Sequence, residues 1–426
     1  MKVAGFIANR VAFNRSAGNA GGQKSFSRFI IRLATVATAI SVAVMIITIS
    51  LANGFQQTVS QKVFSFLGHI RINEKQPDKA IISEETPILK NDSLVAAIQE
   101  NPKVNSIHPF ATKYAILKTK EDLEGVLVKG FDKTYDFNHI RQFIIAGGPI
   151  IFNDSTYSRQ IMISDYTARQ LDLHVNDRVL IYFIRPGHNN AATGMPNIRP
   201  DKLTITGIFK TDIEDYDKTF AIGDLKLIQQ LNGWNADEIG GYEIFLKDYH
   251  KIDDVANDIY ALNSFPITWN TVSVKQISPN IFDWLGMQDI TRNVLIGFMI
   301  IVALINLITC LIVLLLERVR MIGVLKAIGA RDRTVQEIFL RHALFITVTG
   351  IFFGVCFGLG FLWLQEATGF IRLKAEAYYM STAAVKIVWW QVGFICAGTF
   401  FICLLVLMIP TLLVRKIKPV TAIQFR

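Results

Sequence analysis

Charged residues are missing from four long stretches of the chain. Residues 33–52, 293–316, 342–365 and 387–414 contain no Asp, Glu, Lys or Arg, although 19% of the 426 residues are charged. About 20 apolar residues suffice to cross a ~30 Å hydrocarbon core, and one ionised side chain at a helix centre costs roughly 2.5–3.5 kcal/mol. Core helices of soluble proteins rarely run this long without a charge, so the sequence predicts four transmembrane helices.

Cysteine is missing from residues 53–292, because Cys310, Cys356, Cys396 and Cys403 all lie in the hydrophobic stretches. Disulfides and cysteine metal sites are therefore excluded from that segment. The sequence also lacks H-E-x-x-H, G-x-S-x-G and paired carboxylates, so we expect no catalytic residue and no metal. The histidines are expected to be surface or hydrogen-bonded structural residues. Residues 18–25 resemble a phosphate-binding loop, but Gln23 stands where glycine is required, so no cofactor is expected on this chain.

Acidic residues are scarce in three segments next to the hydrophobic stretches. Residues 1–32 contain six Lys or Arg and no acid, residues 317–341 contain six against three, and residues 415–426 contain four and none. Residues 53–292 instead contain 25 basic and 30 acidic residues. Because Lys and Arg accumulate on the cytoplasmic side, both termini and residues 317–341 are predicted to be cytoplasmic. The basic pI of 9.3 follows from these flanks and does not indicate nucleic-acid binding.

The exported segment alternates short β-branched runs with helical patterns, which predicts a mixed α/β domain. Asp165 and Asp224 are expected to cap two of its helices. The strands are expected at residues 69–73, 114–119, 126–131, 160–164, 178–184, 203–210, 242–247 and 267–274. The helices are expected at residues 93–100, 165–171, 224–231 and 252–262.

Three further sequence patterns predict a stalk, an arm and a helix contact. Phe55, Val59, Val63 and Leu67 recur at helical spacing after the first span, which favours an outward stalk over a separate first helix of the domain. Residues 185–200 contain three prolines and two glycines between two strands, which indicates an extended hairpin arm or a mobile loop. Small residues at Gly350, Gly354 and Gly358 predict close helix packing.

The strongest local pattern is E-R-V-R-M-I-G-V-L-K-A-I-G-A at residues 317–330. It predicts a short amphipathic helix that ends at Gly329 and is followed by a second helix. Such a helix can dock into a soluble partner, or it can lie on the lipid headgroups. The pattern resembles the segment that follows the second span in the FtsX-like permease family of ABC transporters, with Met321 where that family has Glu.

The resemblance extends over the whole chain. The order of one span, an exported domain and three spans is that of the type VII, or mechanotransmission, transporters. L-G-H-I-R-I (67–72), V-L-V-K-G-F-D (126–132), T-I-T-G-I-F (204–209) and K-P-V-T-A-I (418–423) are similar to the lipoprotein-releasing permeases of the LolC and LolE group. The fold implied is a helical membrane protein with four transmembrane helices and a large mixed α/β extracytoplasmic domain between helices 1 and 2.

This resemblance implies a subunit of the bacterial inner membrane without its own ATPase site. Its expected partners are a cytoplasmic ABC ATPase dimer carrying ATP and Mg, a second permease subunit (self or sister), a periplasmic lipoprotein carrier, lipoprotein substrates and membrane lipids. The ATPase-coupling helix would comprise Glu317, Arg318, Arg320, Met321, Ile322, Gly323, Leu325, Lys326 and Gly329. The carrier arm would include Arg185, Pro186, Thr193, Met195, Pro196 and Pro200. The acyl-chain pathway would include Val44, Ile47, Phe55, Val59 and Phe298.

The expected organisation places the soluble domain and its two stalks between the first two spans. The segments are 1–28 cytoplasmic amphipathic N-terminus, 29–52 transmembrane helix 1 as an uncleaved anchor, 53–68 stalk, 69–275 periplasmic domain, 276–292 return stalk, 293–316 transmembrane helix 2, 317–341 coupling loop, 342–365 transmembrane helix 3, 366–386 periplasmic loop, 387–414 transmembrane helix 4 and 415–426 cytoplasmic tail.

Three alternatives remain open at this point. An efflux or peptide-export permease of the macrolide-exporter type has the same architecture, although such chains usually carry a fused N-terminal ATPase. An FtsX-like regulator of cell-wall hydrolases usually has a much smaller exported domain. A membrane-anchored enzyme is the third.

Overall fold

A computed structural model describes residues 23–76, 84–153, 156–189, 196–317 and 319–416. The chain divides into two compact units. The first, which we call the membrane unit, consists of Met1–Gln56, Leu285–Arg372 and Thr382–Arg426. The second, which we call the soluble unit, consists of Gln57–Trp284 and Leu373–Ser381.

The described helices follow one another in this order: α1 (Gln23–Leu67), α2 (Asp92–Gln99), α3 (Asn138–Arg141), α4 (Asp165–Gln170), α5 (Glu214–Thr219), α6 (Leu225–Asn232), α7 (Ile252–Tyr260), α8 (Val274–Ile277), α9 (Pro279–Glu317), α10 (Val319–Ala327), α11 (Asp332–Thr368), α12 (Ala375–Tyr378) and α13 (Trp389–Lys416).

The described strands are β1 (Ile70–Glu74), β2 (Ile88–Leu89), β3 (Val104–Lys118), β4 (Leu123–Phe131), β5 (Ile144–Gly147), β6 (Gln160–Ser164), β7 (Arg178–Asn189), β8 (Pro196–Phe209), β9 (Phe220–Asp224), β10 (Glu238–Ile239), β11 (Gly241–Leu246) and β12 (Trp269–Ser273).

Three described helices are long and apolar enough to cross a membrane, namely Ile31–Leu67, Pro279–Asn306 and Ala343–Thr368. The predicted fourth span coincides with α13, where Trp389–Leu405 is a shorter apolar helix. The expected count of four transmembrane helices is therefore not confirmed. The three helices do follow the sequence pattern, because α1, α9 and α11, in which these segments lie, each contain one of the first three charge-free stretches.

Helix α1 has no break between the first hydrophobic stretch and the segment expected to form a stalk. Its C-terminal turns lie in the soluble unit, where Val59, Val63 and Leu67 are completely buried. One helix therefore serves both as the apolar stretch and as the first element of the soluble core. Residues 53–68 therefore continue the first span, as expected of a stalk, and also form the first helix of the soluble unit.

Close packing joins α1 to α11 within the membrane unit. A Cβ added at Gly350 would lie 2.9 Å from Thr38 Cβ, one at Gly354 would lie 2.7 Å from the carbonyl oxygen of Ala39, and one at Gly358 would lie 3.3 Å from Ala43 Cα. The three glycines share one face of α11, and the facing side of α1 also carries small residues. Without side chains at these positions the two backbones can approach closely.

In the part of the chain that the structure describes, ten strands form one mixed sheet in the soluble unit. The order is β12-β1-β11-β3-β4-β9-β6-β8-β5, and β7 pairs with both β3 and β8. The pairs β4–β9 and β6–β8 are parallel, whereas the other pairs are antiparallel. Strands β6, β9 and β11 are buried along almost their whole length, as expected for central strands covered on both faces.

Several local expectations needed correction. The strand expected from Tyr114 begins at Val104 and contains Pro109. Proline is tolerated there because that half of β3 pairs with β11 alone, so no second ladder needs its missing N–H. Ser164, not Asp165, caps α4 by accepting a hydrogen bond from the Thr167 amide. Asp224 caps α6 as expected, accepting from the Lys226 amide.

The described part of residues 185–200 belongs to the paired strands β7 and β8 rather than to an irregular loop. The two strands pair from Arg178 with Thr204 outward to Asn189 with Pro196, with one irregularity after Ile184. Arg185, Pro186 and Pro196 belong to these strands, and Pro200 pairs with Tyr182. Thr193 and Met195 lie outside the described residues.

Replacing Gly354 by alanine should destabilise the membrane unit. The new methyl group would meet the backbone oxygen of Ala39, and overpacking of this kind costs ~1–3 kcal/mol. The matched control is Gly360→Ala on the same helix, where a Cβ meets nothing within 4 Å. That change should be neutral or slightly stabilising, because alanine is the better helix former by ~1 kcal/mol. Thermal unfolding of the full chain in detergent measures both; equal midpoints would contradict the close packing.

Candidate functional site

The segment expected to couple to an ATPase consists of α10 and the turn after it. Helix α10 follows α9 directly and ends at Ala327, and Gly329 adopts a φ of +99°. The Gly329 amide donates to the Lys326 carbonyl at 3.0 Å, which closes the helix end. A positive φ favours glycine, so the predicted stop at Gly329 is confirmed. Helix α11 then starts at Asp332, with Arg331 in an extended conformation before it.

Helix α10 has one buried and one exposed apolar side. Ile322 is completely buried and Gly323 is buried as well, whereas Val324 is 45% and Ile328 is 79% exposed. The backbone places Arg320, Met321 and Leu325 within the same helix, and Glu317 at the end of α9. Arg318 lies outside the described residues. The segment therefore presents exposed aliphatic side chains at Val324 and Ile328.

The five residues expected along an acyl-chain pathway lie in different environments. Val44, Ile47 and Phe55 are half-buried on α1, and Phe298 on α9 is 60% exposed. Val59 is completely buried in the core of the soluble unit. The side chain of Val59 is therefore engaged in core packing, whereas that of Phe298 is free to contact hydrocarbon.

The C-terminal end of α1 is a site that the sequence analysis missed. The last four carbonyls of a helix need donors from outside it. The Gly68 amide donates to the Phe64 carbonyl at 2.8 Å, and the Tyr135 hydroxyl donates to the Ser65 carbonyl at 3.2 Å. The Lys129 ammonium donates to the Phe66 carbonyl, and Arg71 Nε donates to the Leu67 carbonyl at 3.2 Å. All four carbonyls therefore have a donor.

A single carboxylate bridges the two cations at this helix end. Glu243 Oε1 accepts from Arg71 Nε at 2.9 Å, and its two oxygens lie 2.5 and 2.7 Å from Lys129 Nζ. All three side chains are at most 4% exposed. Burial lowers the pKa of Lys129 to about 8, although the Glu243 carboxylate opposes that shift. The cations also complement the partial negative charge at a helix C-terminus.

Lys62 on α1 connects two other parts of the soluble unit. Its ammonium group donates to Asp212 Oδ2 at 3.0 Å and to the Tyr379 carbonyl at 2.9 Å. Tyr379 has a φ of +55°, and its ring lies edge-on to Trp284. Residues 373–381 between α11 and α13 thus fold as part of the soluble unit. Nothing in the sequence indicated this, since the segment has no long periodic pattern.

Three histidines surround the ring of Phe245. His69 agrees with the expectation of a hydrogen-bonded structural histidine, since its Nδ1 accepts from the Leu246 amide at 3.2 Å, whereas His108 differs from it. His139 stacks on the Phe245 ring at 4.2 Å, and His69 and His108 lie edge-on at 6.0 and 5.9 Å. Both ring nitrogens of His108 and Nε2 of His139 are buried without a partner among the described residues. Burial lowers the pKa of all three, that of His69 to about 3. The cluster is therefore neutral at physiological pH.

Comparison with known proteins establishes the family. Residues 33–262 match the family model of the MacB-like periplasmic core domain, which is more than half of the chain. Residues 293–419 match the FtsX-like permease C-terminal domain. The chain belongs to the FtsX-like permease family. It is accordingly a membrane permease with a periplasmic α/β domain, from a family of ABC transporter subunits in which ATP is hydrolysed by a separate subunit.

The permease is similar over nearly its whole length to lipoprotein-releasing proteins. It is 22% identical over 404 residues to the lipoprotein-releasing system transmembrane protein LolE of Haemophilus influenzae, covering 92% of this chain and 93% of that one. It is 20% identical over 415 residues to the corresponding LolC of Xylella fastidiosa, covering 95% of each chain.

Two solved structures also align with the permease. The periplasmic region of MacB from Actinobacillus actinomycetemcomitans is 11% identical with a TM-score of 0.34, covering 50% of this chain and 92% of that one. The extracellular domain of the noncanonic ABC-type transporter YknZ from Gram-positive bacteria is 11% identical with a TM-score of 0.31, covering 48% and 99%.

Replacing Glu243 by glutamine should strongly destabilise the soluble unit. Lys129 and Arg71 would lose their carboxylate while remaining buried, and breaking a buried ion pair in this way costs ~3–5 kcal/mol. Chemical unfolding of the full chain in detergent measures the loss. Adding Lys129→Met to Glu243→Gln should recover part of it, because one uncompensated charge is removed.

The matched control for Glu243→Gln is Asp253→Asn. Asp253 forms a 2.6 Å ion pair with Lys275, but the two side chains are 61% and 39% exposed. Exposed pairs contribute ~0–1 kcal/mol. An equal effect of the two substitutions would show that the capping network is no more important than a surface ion pair.

The soluble unit should lose stability as the pH falls below 6.5. The pKa of His69 is about 3 in the folded chain and ~6.5 when unfolded, so below pH 6.5 the unfolded chain binds the extra proton. In that window the free energy of unfolding falls by ~1.4 kcal/mol for each pH unit. The loss caused by His69 between pH 7 and pH 5 is about 2 kcal/mol.

Urea unfolding of the full chain at the two pH values measures this loss. The loss should be smaller in His69→Asn than in the unmodified chain. The exposed His250 provides the control, His250→Asn, which should retain the full dependence. The same dependence in His69→Asn as in the unmodified chain would contradict a neutral buried His69.

Proposed function

We propose that this permease is the transmembrane subunit of an ATP-driven lipoprotein-releasing transporter. It would extract outer-membrane-destined lipoproteins from the bacterial inner membrane and hand them to a periplasmic carrier. The observation that carries this proposal is the similarity to LolE and LolC over more than nine-tenths of the chain. The ATPase dimer, with ATP and Mg, and a second permease subunit would complete the complex.

The proposed orientation has both termini in the cytoplasm. The basic flanks at residues 1–32, 317–341 and 415–426 support it. It requires α13 to act as a fourth span, as the charge-free stretch at residues 387–414 predicts. Residues 57–284 and 373–381 would then both lie in the periplasm, in agreement with their folding as one unit.

The ATPase would dock on the coupling segment. The exposed Val324 and Ile328 would enter an apolar groove on the ATPase, and the basic residues beside them would face its acidic side chains. Met321 removes an ion pair that the glutamate of the family pattern could form. The buried Ile322 would transmit displacement to the apolar helices, because α10 is joined directly to α9 and through a short turn to α11.

Helix α1 would act as the lever of the transporter. It is 45 residues long without interruption, and its last carbonyls are held by Tyr135, Lys129 and Arg71. A displacement of the apolar stretch would be carried along this continuous helix to its capped end. The close packing at Gly350, Gly354 and Gly358 would transfer it to α11.

The substrate would be guided by apolar side chains and released at the arm. Moving one acyl CH₂ group from lipid into water costs ~0.8 kcal/mol of free energy. The path of the acyl chains must therefore be apolar. Val44, Ile47, Phe55 and Phe298 remain the proposed lining of that path, whereas Val59 would contribute only if the soluble core opened. The arm formed by β7 and β8, with Arg185, Pro186, Pro196 and Pro200, would hold the carrier.

A second candidate is a permease for efflux or peptide export. The match of residues 33–262 to the MacB-like periplasmic core domain favours it. Crosslinking from positions 190–198 separates the two functions. Capture of a soluble periplasmic lipoprotein carrier supports lipoprotein release, and capture of a membrane-anchored adaptor or an outer-membrane channel supports efflux.

Depletion of the permease in its host tests the proposed function. Outer-membrane lipoproteins should then accumulate in the inner membrane, as measured by fractionation of the two membranes. Normal lipoprotein sorting after depletion would overturn the proposal. The same strain, complemented with Ile328→Asp, should show the defect because a charge would be placed in the ATPase contact.

The matched control for Ile328→Asp is Ile267→Asp. Ile267 is a 90% exposed isoleucine in the soluble unit, so the substitution has the same chemistry away from α10. It should restore sorting. Restoration by both variants, at equal protein levels, would exclude Ile328 from the ATPase contact.

A further inference from the structure

An open cavity of about 350 Å³ lies in the soluble unit beside the last turns of α1. Its wall is formed by residues of α1, by the start of β3, by α3 and its C-terminal end, and by the end of β11. The volume is at the lower end of the range of roughly 300–1,000 Å³ that is typical of small-molecule sites. The cavity can therefore take a compact ligand but not a long chain.

The rim of this cavity consists of carboxamide side chains. Gln57, Gln61, Asn105, Asn138 and Gln142 all contribute, and all five are exposed. Each carboxamide offers two donor hydrogens and one acceptor oxygen. Among the described residues that line the cavity, none is Asp, Glu, Lys or Arg. The rim is thus suited to a neutral ligand that both donates and accepts hydrogen bonds.

The floor of the cavity consists of paired aromatic rings. Phe64 stacks on His69 with centroids 4.2 Å apart, and Phe245 stacks on His139 at the same distance. The Leu246 amide donates to His69 Nδ1 at 3.2 Å. Burial keeps the pKa of His69 far below neutrality, so its ring is uncharged and carries its proton on Nε2. The floor is therefore aromatic, largely apolar and neutral.

We propose that this cavity binds a neutral sugar, with an acetamido sugar as the preferred unit. A pyranose ring has an apolar face that fits an aromatic floor and a ring of hydroxyl groups that fits the carboxamide rim. An acetamido group adds a methyl for the floor and an amide for the rim. A charged ligand would lose hydration without gaining a counter-charge, and a hydrocarbon would gain no hydrogen bond from the five carboxamides.

This binding site goes beyond the proposed function and does not rest on it. None of its residues belongs to α10, to the arm or to the apolar helices outside the soluble unit. Lipoprotein sorting and sugar binding can therefore be tested separately, and either result can stand without the other.

The experiment is saturation-transfer NMR on the full chain in nanodiscs, with N-acetylglucosamine as the probe. Saturable binding is expected, with a Kd on the order of 1 mM, because a single small ring gains few contacts. Glucosamine, a cation at neutral pH, and glucuronate, an anion, should bind at least about tenfold more weakly. An acetylated Gly-Ser-Asn-Gly amide is the comparison for a neutral peptide.

Two rim variants test the location of the site. Gln61→Ala and Asn138→Ala should each weaken N-acetylglucosamine binding about fivefold to tenfold, as expected for one lost hydrogen bond. Both residues are exposed, so the fold should be preserved. The control is Gln230→Ala, an exposed glutamine on α6 that does not line the cavity, and it should bind within about twofold of the unmodified chain.

Four results would overturn the proposal. They are the absence of saturable binding, equal binding of the charged sugars, unchanged binding in both rim variants, and binding of the peptide without binding of the sugar. The last result would identify the cavity as a peptide site.

Discussion

The C-terminal end of α1 imposes the strictest requirement on the soluble unit. Four carbonyls that end a helix inside a protein core need four donors, because a buried polar group without a partner costs ~1–3 kcal/mol. Two of these donors are cations, and buried cations need a carboxylate. Glu243 on β11 meets that need for both Arg71 on β1 and Lys129 on β4. Three strands are thereby fixed around one helix end.

The same network spans neighbouring strands of the sheet. Strand β11 pairs with β1 on one side and with β3 on the other, and β3 pairs in turn with β4. Glu243 lies opposite Arg71 in the β1–β11 ladder and opposite His108 in the β3–β11 ladder. The phenyl ring of Phe110 on β3 lies 4.7 Å from the Arg71 guanidinium and 5.5 Å from Lys129 Nζ. The ionic network and the aromatic core therefore occupy one continuous volume.

Sequence patterns predicted the strands and helices that can be recognised from the periodicity of their own residues. All eight expected strands and all four expected helices of the soluble domain correspond to described elements, because alternation and helical periodicity are properties of short segments. The missed strands β2, β5, β9 and β10 are five residues or shorter. Alternation is a weak signal in so short a segment, although β1, β6 and β12 were predicted at a length of five residues. The early start of β3 was missed because proline normally argues against a strand, and only the sheet order shows that Pro109 faces a single neighbour.

The candidate sites also differ in whether they are built from residues that are close together in the sequence. The turn at Gly329 was predictable because a helix stop depends on adjacent residues. The helix cap was not, because Arg71, Lys129 and Glu243 are distant in sequence and meet only in the folded sheet. A signal was nevertheless present: V-L-V-K-G-F and G-Y-E-I-F-L each place one charge in an otherwise apolar strand. Opposite charges in two such strands indicate a buried pair. The histidines around Phe245 carried no comparable signal.

The folding of residues 373–381 with the soluble unit bears on how such proteins can diversify. Lys62 reaches the Tyr379 carbonyl, and Trp284 meets the Tyr379 ring, so the domain is assembled from two separate stretches of the gene. Recombination that exchanged only residues 57–284 between relatives would separate Lys62 and Trp284 from the segment they evolved with. Inheritance of the soluble unit as one module therefore requires two coordinated crossovers, or compensating changes in a nine-residue loop more than 80 positions downstream.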